Sequence, residues 1–367
     1  MTGKLVLENL KHKPMRSLLS ILLIAVPVTL ILTLVGLSRG MIADSERRTR
    51  GSGADIMVRG KTSKTLLTQS VATLPEEFLA FFAKQPHVKS VMGVVSHAIE
   101  LPLIVNGVDL DLFSEMRGGL TYLSGGPFRE PNDMIIDRYY AEQKKKKVGD
   151  TIEVLARSWR ICGIVEGGKL SHILVPLKQL QELDGAARKL SQIYLKLDSP
   201  ANTQQVIEQL QARLGPDYPV WSMEEVASQI RESVNSQGLN AFIIVIMAIG
   251  VIIGFAVVCL SMYMAVLQRT REVGILKSLG ASKSYILRLI LSEALLLGLG
   301  GTILGILMSF GARLAIERFQ PASFQMEIVL AWWPRALAIT LAAATLGALY
   351  PGLTAAAHDP IEALAYE

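Results

Sequence analysis

Residues 268–300 read QRTREVGILKSLGASKSYILRLILSEALLLGLG, a short charged segment between two long apolar runs. Apolar residues recur at helical spacing in its first part beside a basic side, which predicts a short amphipathic helix. Gly280 stands where that helix would end, and Ser282 stands where the next helix would take its N-cap. The stretch therefore predicts a charged helical turn that joins two membrane helices. The alternative is an interfacial helix that lies among lipid headgroups and touches no protein.

Four stretches of the chain lack Lys, Arg, Asp and Glu for long enough to cross a bilayer, which takes roughly 20 apolar residues. They are residues 17–38, 233–268, 294–312 and 336–358. Half of the 367 residues are apolar, and 19% are charged, whereas soluble domains are about 25% charged. We therefore predict a membrane protein with four transmembrane helices.

The basic residues predict the orientation of these helices. Residues 1–16 carry four Lys/Arg and one acidic residue, and residues 268–288 carry five and one. Short loops rich in Lys and Arg face the cytoplasm. Both segments are therefore expected inside, and the long segment between the first two crossings is expected outside.

That long segment, residues 41–232, is large enough to form its own core. Its opening part predicts strands at 55–59, 88–96 and 99–105 around a helix at 75–84. Its closing part predicts strands at 192–197 and 218–221 around a helix at 202–214. We expect a large α+β domain in which two βαβ-like halves share one sheet. Residues 109–188 read as a β-rich insertion with strands at 134–136, 151–155, 160–165 and 173–175 and a turn at 148–150.

The second apolar run is 36 residues long, about 54 Å as a helix against a hydrocarbon core of about 30 Å. We therefore expect it to leave the membrane as a rigid stalk that continues into the helical residues 224–233. The predicted segments are a cytoplasmic amphipathic start 1–16, helix 17–40, the α+β domain 41–232, stalk and helix 233–267, a cytoplasmic coupling helix 268–284, helix 285–313, a short loop 314–331, helix 332–357 and a cytoplasmic tail 358–367.

The sequence predicts no catalytic site. Gly60-Lys61-Thr62 resembles the end of a phosphate-binding loop, but Asp55 stands where such a loop needs its first glycine. Residues 36–40 match the pattern of a nucleophile elbow, but they end an apolar helix. The five histidines show no metal-ligand spacing. We therefore expect no enzyme activity, no metal and no cofactor bound by this chain.

The stretch 268–300 resembles the FtsX/MacB-type ABC transporter permeases, which include MacB and LolC/LolE-like proteins of the mechanotransmission type. Residues 350–364, YPGLTAAAHDPIEAL, are similar to the closing motif of that family. Residues 7–10 and 16–20 are similar to its amphipathic start and first crossing. Gln268 departs from the pattern, since an acidic residue is common at that position.

The resemblance implies a permease subunit in a bacterial inner membrane, with both termini cytoplasmic and the large domain periplasmic. Such permeases form homodimers or heterodimers and couple ATP hydrolysis by separate ABC ATPase subunits, which bind ATP and Mg, to motion of the periplasmic domain. The implied task is export or extraction of an amphiphile, lipid, lipoprotein, peptide or drug. The alternative is a non-transporting regulator of a cell-wall hydrolase or sensor; a membrane receptor without any ATPase is a third reading. Membrane lipids are expected partners, a periplasmic adaptor is left open, and no nucleic acid is expected.

The resemblance also implies which residues dock the ATPase. These residues of the coupling helix are Arg269, Arg271, Glu272, Gly274, Leu276, Lys277, Leu279 and Gly280. Four glycines at four-residue spacing permit close packing of membrane helices, either at a dimer seam or within the chain. They are Gly250, Gly254, Gly301 and Gly305. Glu293 has two readings: a part in coupling, or a partner for Arg288 or a neighbouring helix end.

Overall fold

The structure is a computed structural model that describes residues 14–60, 72–100, 103–117, 119–234, 240–268, 270–322 and 325–357. The chain divides into two compact units. The membrane unit comprises residues 1–39, 239–315 and 326–367, and the α/β unit comprises residues 40–238 and 316–325.

The elements follow one another in this order. Up to residue 234 they are α1 Pro14–Arg50, β1 Ile56–Arg59, β2 Leu74–Pro75, α2 Phe78–Ala83, β3 Val88–Glu100, β4 Leu103–Val108, α3 Leu110–Arg117, β5 Tyr122–Gly125, β6 Asp133–Asp137, α4 Arg138–Lys144, β7 Thr151–Val154, β8 Arg157–Val165, β9 Ile173–Pro176, α5 Leu177–Leu183, β10 Lys189–Leu190, β11 Gln192–Leu197, a 3₁₀ turn Pro200–Asn202, α6 Thr203–Leu214, β12 Val220–Ser222 and α7 Met223–Val234. From residue 240 they are α8 Asn240–Gln268, α9 Thr270–Ser278, α10 Lys283–Phe319 and α11 Trp332–Ala357.

In the described part of the chain, four helices, α1, α8, α10 and α11, are long and apolar enough to cross a membrane. They coincide with the four predicted crossings, although α1 and α10 extend beyond the predicted spans, to Arg50 and Phe319. The charged residues at the end of α1 are compatible with helix because Asp44 and Arg48, one turn apart, form an ion pair of 3.0 Å. The predicted stalk of α8 falls partly on residues 235–239, which lie outside the described residues.

Glycines allow two helices of the membrane unit, α1 and α10, to pack closely. A Cβ at Gly301 would lie 2.5 Å from Ile24 Cγ2, and one at Gly305 would lie 2.7 Å from Val28 Cβ. Thr29 Oγ1 donates to the Gly305 carbonyl at 3.1 Å. Helix α10 therefore lies on α1 at a distance that only glycine allows, as is usual where packing in lipid depends on van der Waals contact.

The α/β unit contains a sheet in the order β12-β1-β11-β3-β4-β9-β6-β8-β5, with β7 also pairing β8. In its first four strands, β1 lies antiparallel between β11 and β12, and β11 pairs antiparallel with β3. Each predicted βαβ half is therefore split, with one strand of the other half between its own two strands. This is the order of a ferredoxin-like sheet. The prediction that both halves share one sheet is confirmed.

The core lies on both faces of this sheet. Ile56 and Val58 of β1 belong to the cluster that includes Phe82, whereas Met57 belongs to the cluster that includes Phe113. Successive residues of a strand point to opposite faces. Because both faces are covered, β1 is buried along its whole length.

The insertion continues the same sheet. The long strand β3 pairs with β11 through Val94 and with β4 from Val95 onward. Strand β4 then pairs in parallel with β9, and β9 leads through β6 to β8. The four predicted insertion strands are present as β6, β7, β8 and β9.

Two details of the prediction are wrong. The strand predicted at 99–105 merges two strands, since β3 runs to Glu100 and β4 begins at Leu103. The helix predicted at 75–84 is shorter, because Leu74–Pro75 instead pairs with Lys189–Leu190 as a small two-stranded sheet. The sequence also gave no sign of the short helices α3, α4 and α5, which have seven or eight residues each.

Candidate functional site

The candidate site is the short helix α9 and the turn that follows it. Gly280 has φ +92° and its N–H donates to the Lys277 carbonyl at 2.9 Å, while Ala281 N–H donates to the Leu276 carbonyl at 3.0 Å. This left-handed residue ends the helix, as glycine permits. Ser282 Oγ then accepts from Tyr285 N–H at 3.2 Å and caps α10. The predicted stop and restart of the chain at this point are confirmed.

One side of α9 is fixed to the membrane unit. Val273 and Leu276 pack against an apolar cluster that includes Met262 of α8, Ile290 of α10 and Ala355 of α11. The Lys277 ammonium also donates to the Ala356 carbonyl at 2.7 Å. The short helix is thus bonded to α11 and packed on an apolar cluster to which α8, α10 and α11 contribute.

Another side of α9, together with the residue that follows the helix, exposes apolar groups. Leu279 is 80% exposed and Ile275 is 46% exposed. They stand four residues apart and therefore share one face of a helical turn. A pair of exposed aliphatic side chains beside buried ones favours contact with another molecule.

The predicted docking residues fall into three groups: exposed residues, residues that are buried or bound to the membrane unit, and residues that lie outside the described part of the chain. Leu279 and Gly280 are exposed, Gly274 is buried, and Leu276 is half-buried. Lys277 binds the end of α11. Arg269 lies outside the described residues, as do the side chains of Arg271 and Glu272, whose backbone belongs to α9. The predicted set omitted Ile275, although its four-residue spacing from Leu279 was visible in the sequence.

The four packing glycines do not share one role. Gly301 and Gly305 contact α1 of the same chain, and a Cβ at Gly250 would lie 3.1 Å from Pro27 Cβ, also in α1. A Cβ at Gly254 would meet nothing within 4 Å. Gly254 instead lines a small cleft between α1, α8 and α11 that is lined almost wholly by apolar residues.

Glu293 is 4% exposed in α10, whereas Arg288 is exposed. Among the described residues the two form no ion pair, so the structure does not support Arg288 as the partner of Glu293.

Asp133 and Cys162 of the α/β unit have structural partners. Burial raises the pKa of Asp133, but the backbone N–H groups of Arg129 and Glu130 and the Arg160 guanidinium bind its carboxylate and hold the pKa below its usual value. Burial, with Asp133 nearby, raises the pKa of the Cys162 thiol to about 12. A thiol with so high a pKa is a poor nucleophile at neutral pH.

The described part of the chain holds no group of three or more His, Cys, Asp or Glu side chains that could bind a metal ion. Ser171 lies next to the buried His172, but its hydroxyl donates to the Ile173 carbonyl at 2.7 Å. That hydroxyl is therefore not paired with the imidazole as a nucleophile would be.

Comparison with known proteins shows the family of the chain. The family model for the MacB-like periplasmic core domain matches residues 17–213, and that for the FtsX-like permease C-terminal region matches residues 244–360. The macrolide export ATP-binding/permease proteins MacB of Escherichia coli K12 and Shigella flexneri are each 26% identical, over 96% of this chain and 58% of their own length. The chain thus spans less than two thirds of these curated relatives.

Two solved structures show similarity to parts of the chain. The periplasmic region of MacB from Actinobacillus actinomycetemcomitans is 16% identical, with a TM-score of 0.37 over 49% of this chain and 94% of that chain. The extracellular domain of the noncanonic ABC-type transporter YknZ from Gram-positive bacteria is also 16% identical, with a TM-score of 0.35 over 46% and 99%. On its matches to both family models, the chain belongs to the FtsX-like ABC transporter permeases that carry a MacB-like periplasmic core domain between their first two membrane helices.

Proposed function

We propose that this permease couples ATP hydrolysis by a separate ABC ATPase to displacement of its periplasmic domain, and that it exports or extracts an amphiphile such as a lipid, lipoprotein, peptide or drug. The observation that carries the proposal is helix α9 with Leu279, the residue that follows it. Leu279 and Ile275 are exposed, whereas Val273 and Leu276 pack on an apolar cluster to which α8, α10 and α11 contribute.

The exposed pair fits a groove on a partner. A helix that offers apolar residues at four-residue spacing docks by laying them into an apolar groove. Because Val273, Leu276 and Lys277 hold another side of α9, a force on Leu279 acts on the ends of α8, α10 and α11 rather than on α9 alone. The coupling segment is therefore built to pass displacement from a docked protein into the membrane.

The charge pattern supports a cytoplasmic position for α9. Residues 268–288 carry five Lys/Arg against one acidic residue, and short basic loops stay in the cytoplasm. With four crossings, both termini then lie in the cytoplasm and the α/β unit in the periplasm of a bacterial inner membrane.

The relatives support an ATPase partner. Their name joins ATP binding to a permease, and this chain corresponds to 58% of their length. In our proposal the ATPase binds ATP and Mg, and this chain supplies the docking surface.

Helix α8 leaves most of its apolar surface uncovered. Of its most apolar stretch 11% is buried, whereas 39–44% is buried in the other three membrane helices. That surface is available to lipid and to a second protomer.

Reconstitution tests the proposal. The permease is purified in mild detergent, its copurifying ATPase is placed with it in proteoliposomes, and release of a fluorescent lipid or lipopeptide is followed. We expect release that needs ATP and stops with vanadate. Nucleotide-driven activation of a bound hydrolase without movement of any amphiphile would instead show a regulator, and absence of any ATPase would contradict the proposal altogether.

A further inference from the structure

The charged residues at the end of α1 each contact a different part of the α/β unit. Glu46 pairs with Arg231 of α7 at 3.0 Å. The Arg47 guanidinium donates to the side-chain carbonyl of Gln325, in the segment after α10. Arg48 donates to His172 of the insertion. Three consecutive residues of one helical turn thus reach three separate segments.

The contact with the insertion is a largely buried chain of polar side chains. Arg48 pairs with Asp44 at 3.0 Å, and its guanidinium also donates to His172 Nε2. Because Nε2 accepts this bond, the ring proton lies on Nδ1, which donates to Asp137 Oδ2 at 2.6 Å. Asp137 in turn accepts from Tyr140 N–H at 2.9 Å and caps α4. His172 and Asp137 are 1% and 2% exposed.

The backbones also meet at this point. Leu170 N–H donates to the Arg48 carbonyl at 3.1 Å. A Cβ at Gly51 would lie 1.9 Å from the Gly168 carbonyl oxygen. No L side chain tolerates such a distance, so glycine at position 51 is required by the close approach of the loop.

The segment after α10 is tied to the insertion as well. Gln143 of α4 accepts from Ala322 N–H at 2.9 Å and donates to Gln320 Oε1 at 3.1 Å. Since Asp137 caps the same helix α4, this helix holds both the α1 contact and the segment after α10.

We propose that residues 44–51, which we name the α1 joint, carry displacement of the first membrane helix into the insertion of the α/β unit. A buried polar network with all its members paired holds one geometry, and removal of one member leaves a buried charge unpaired. The joint is therefore a stiff and specific link, and α1 is one continuous helix from Pro14 to the joint. This inference rests on the proposed function, because docking of the ATPase supplies the displacement.

Hydrogen exchange of the full chain with its copurified ATPase in nanodiscs tests the joint. Exchange is compared between the nucleotide-free state and ATP with vanadate, at residues 166–176 of the insertion and at residues 270–282 around α9. Arg48→Gln breaks the charged chain, and Gly51→Ala wedges the backbones apart. The matched controls are Arg39→Gln, an exposed arginine of the same helix, and Gly126→Ala, an insertion glycine whose Cβ would meet nothing within 4 Å.

In the unmodified protein and both controls, we expect nucleotide to change exchange in both segments. In Arg48→Gln and Gly51→Ala, residues 270–282 should still respond while the response of residues 166–176 is lost. An insertion that responds in both joint variants as it does in the controls would overturn the proposal. So would an unmodified protein in which only residues 270–282 respond, although docking of the ATPase would then stand.

Two further outcomes are informative. If residues 270–282 do not respond to nucleotide in the unmodified protein, the proposed function is wrong and this inference falls with it. In the chain alone, both joint variants should speed exchange of the Leu170 amide. Unchanged exchange in both variants would show that the joint does not hold the loop, whatever the ATPase does.

Discussion

Truncation of Leu279 tests the docking surface most directly. The side chain is 80% exposed, and full burial of a leucine stabilises by about 1.5–3 kcal/mol. Covering the exposed part in a partner groove would then contribute about 1.2–2.4 kcal/mol. Leu279→Ala keeps the Cβ and loses most of this, so affinity for the ATPase should fall roughly 5- to 30-fold at about 1.4 kcal/mol per factor of ten.

The assay is binding of labelled ATPase to permease in nanodiscs, with permease-stimulated ATP hydrolysis as a second measurement. Ile275→Ala should also weaken binding, but less, because Ile275 is 46% exposed. Leu276→Ala is the matched control, since Leu276 packs inward against the membrane helices. It should lower the melting temperature of the permease, whereas Leu279→Ala should leave it unchanged.

Unchanged affinity after Leu279→Ala would refute the reasoning, because a side chain that a partner groove covers cannot be truncated without a loss of binding free energy. Equal losses of affinity in Leu279→Ala and Leu276→Ala would also refute it. That result would show that docking depends on the integrity of α9 and not on its exposed face.

Three further predictions concern packing and titration. Gly305→Ala places a Cβ 2.9 Å from the Ala25 carbonyl oxygen and should destabilise the permease by about 1–3 kcal/mol. Gly254→Ala is the control and should not destabilise it, because its Cβ would meet nothing within 4 Å. Equal melting temperatures for the two variants would contradict this prediction. Asp133→Asn should lower the free energy of unfolding at pH 7 by about 1–3 kcal/mol, measured as a shift of the urea midpoint. Because the folded pKa of Asp133 is lowered from its usual 3.8, this difference should persist above that value and disappear as the pH falls through the folded pKa; a difference independent of pH would count against the pairing. In a Cys259→Ser background, the Cys162 thiol, with its pKa raised to about 12, should react with iodoacetamide at pH 8 about 1,000-fold more slowly in the folded protein than in urea, and similar rates would contradict its burial.

The sequence was sufficient where a single segment determines its own structure. Runs of about 20 apolar residues can only be buried in lipid or in a large core, so the four membrane helices were predictable. The turn at Gly280 was predictable for a similar reason, since glycine at a helix end followed by a capping serine acts over a few residues. Strands β1 and β11 were also predictable, because the pattern of each was clear in isolation, whereas their pairing with each other was found only in the structure.

Features that depend on contacts between distant residues were not predictable. The direction in which each side of α9 faces is set by helices that are far away in sequence, so Leu276 and Lys277 could not be told from Leu279. The short helices of the insertion were not predicted, because a helix of seven or eight residues has little intrinsic stability and forms only when it is packed. Strand β3 was cut too early because two partners, β11 and β4, share its length.

By itself, the sequence determined that this is a membrane protein with four apolar crossings, a domain between the first two and a charged helical turn between the second and third; the permease family entered through the resemblance of that turn and of residues 350–364. Hydrophobic length, charge and capping act locally, and so they can be read from neighbouring residues. Only the tertiary structure decided that α9 faces outward with Leu279 and Ile275, and that Arg48, His172 and Asp137 form one buried chain. Arg48 and His172 are 124 residues apart, and polar groups so distant in sequence become partners only when folding has brought their segments together.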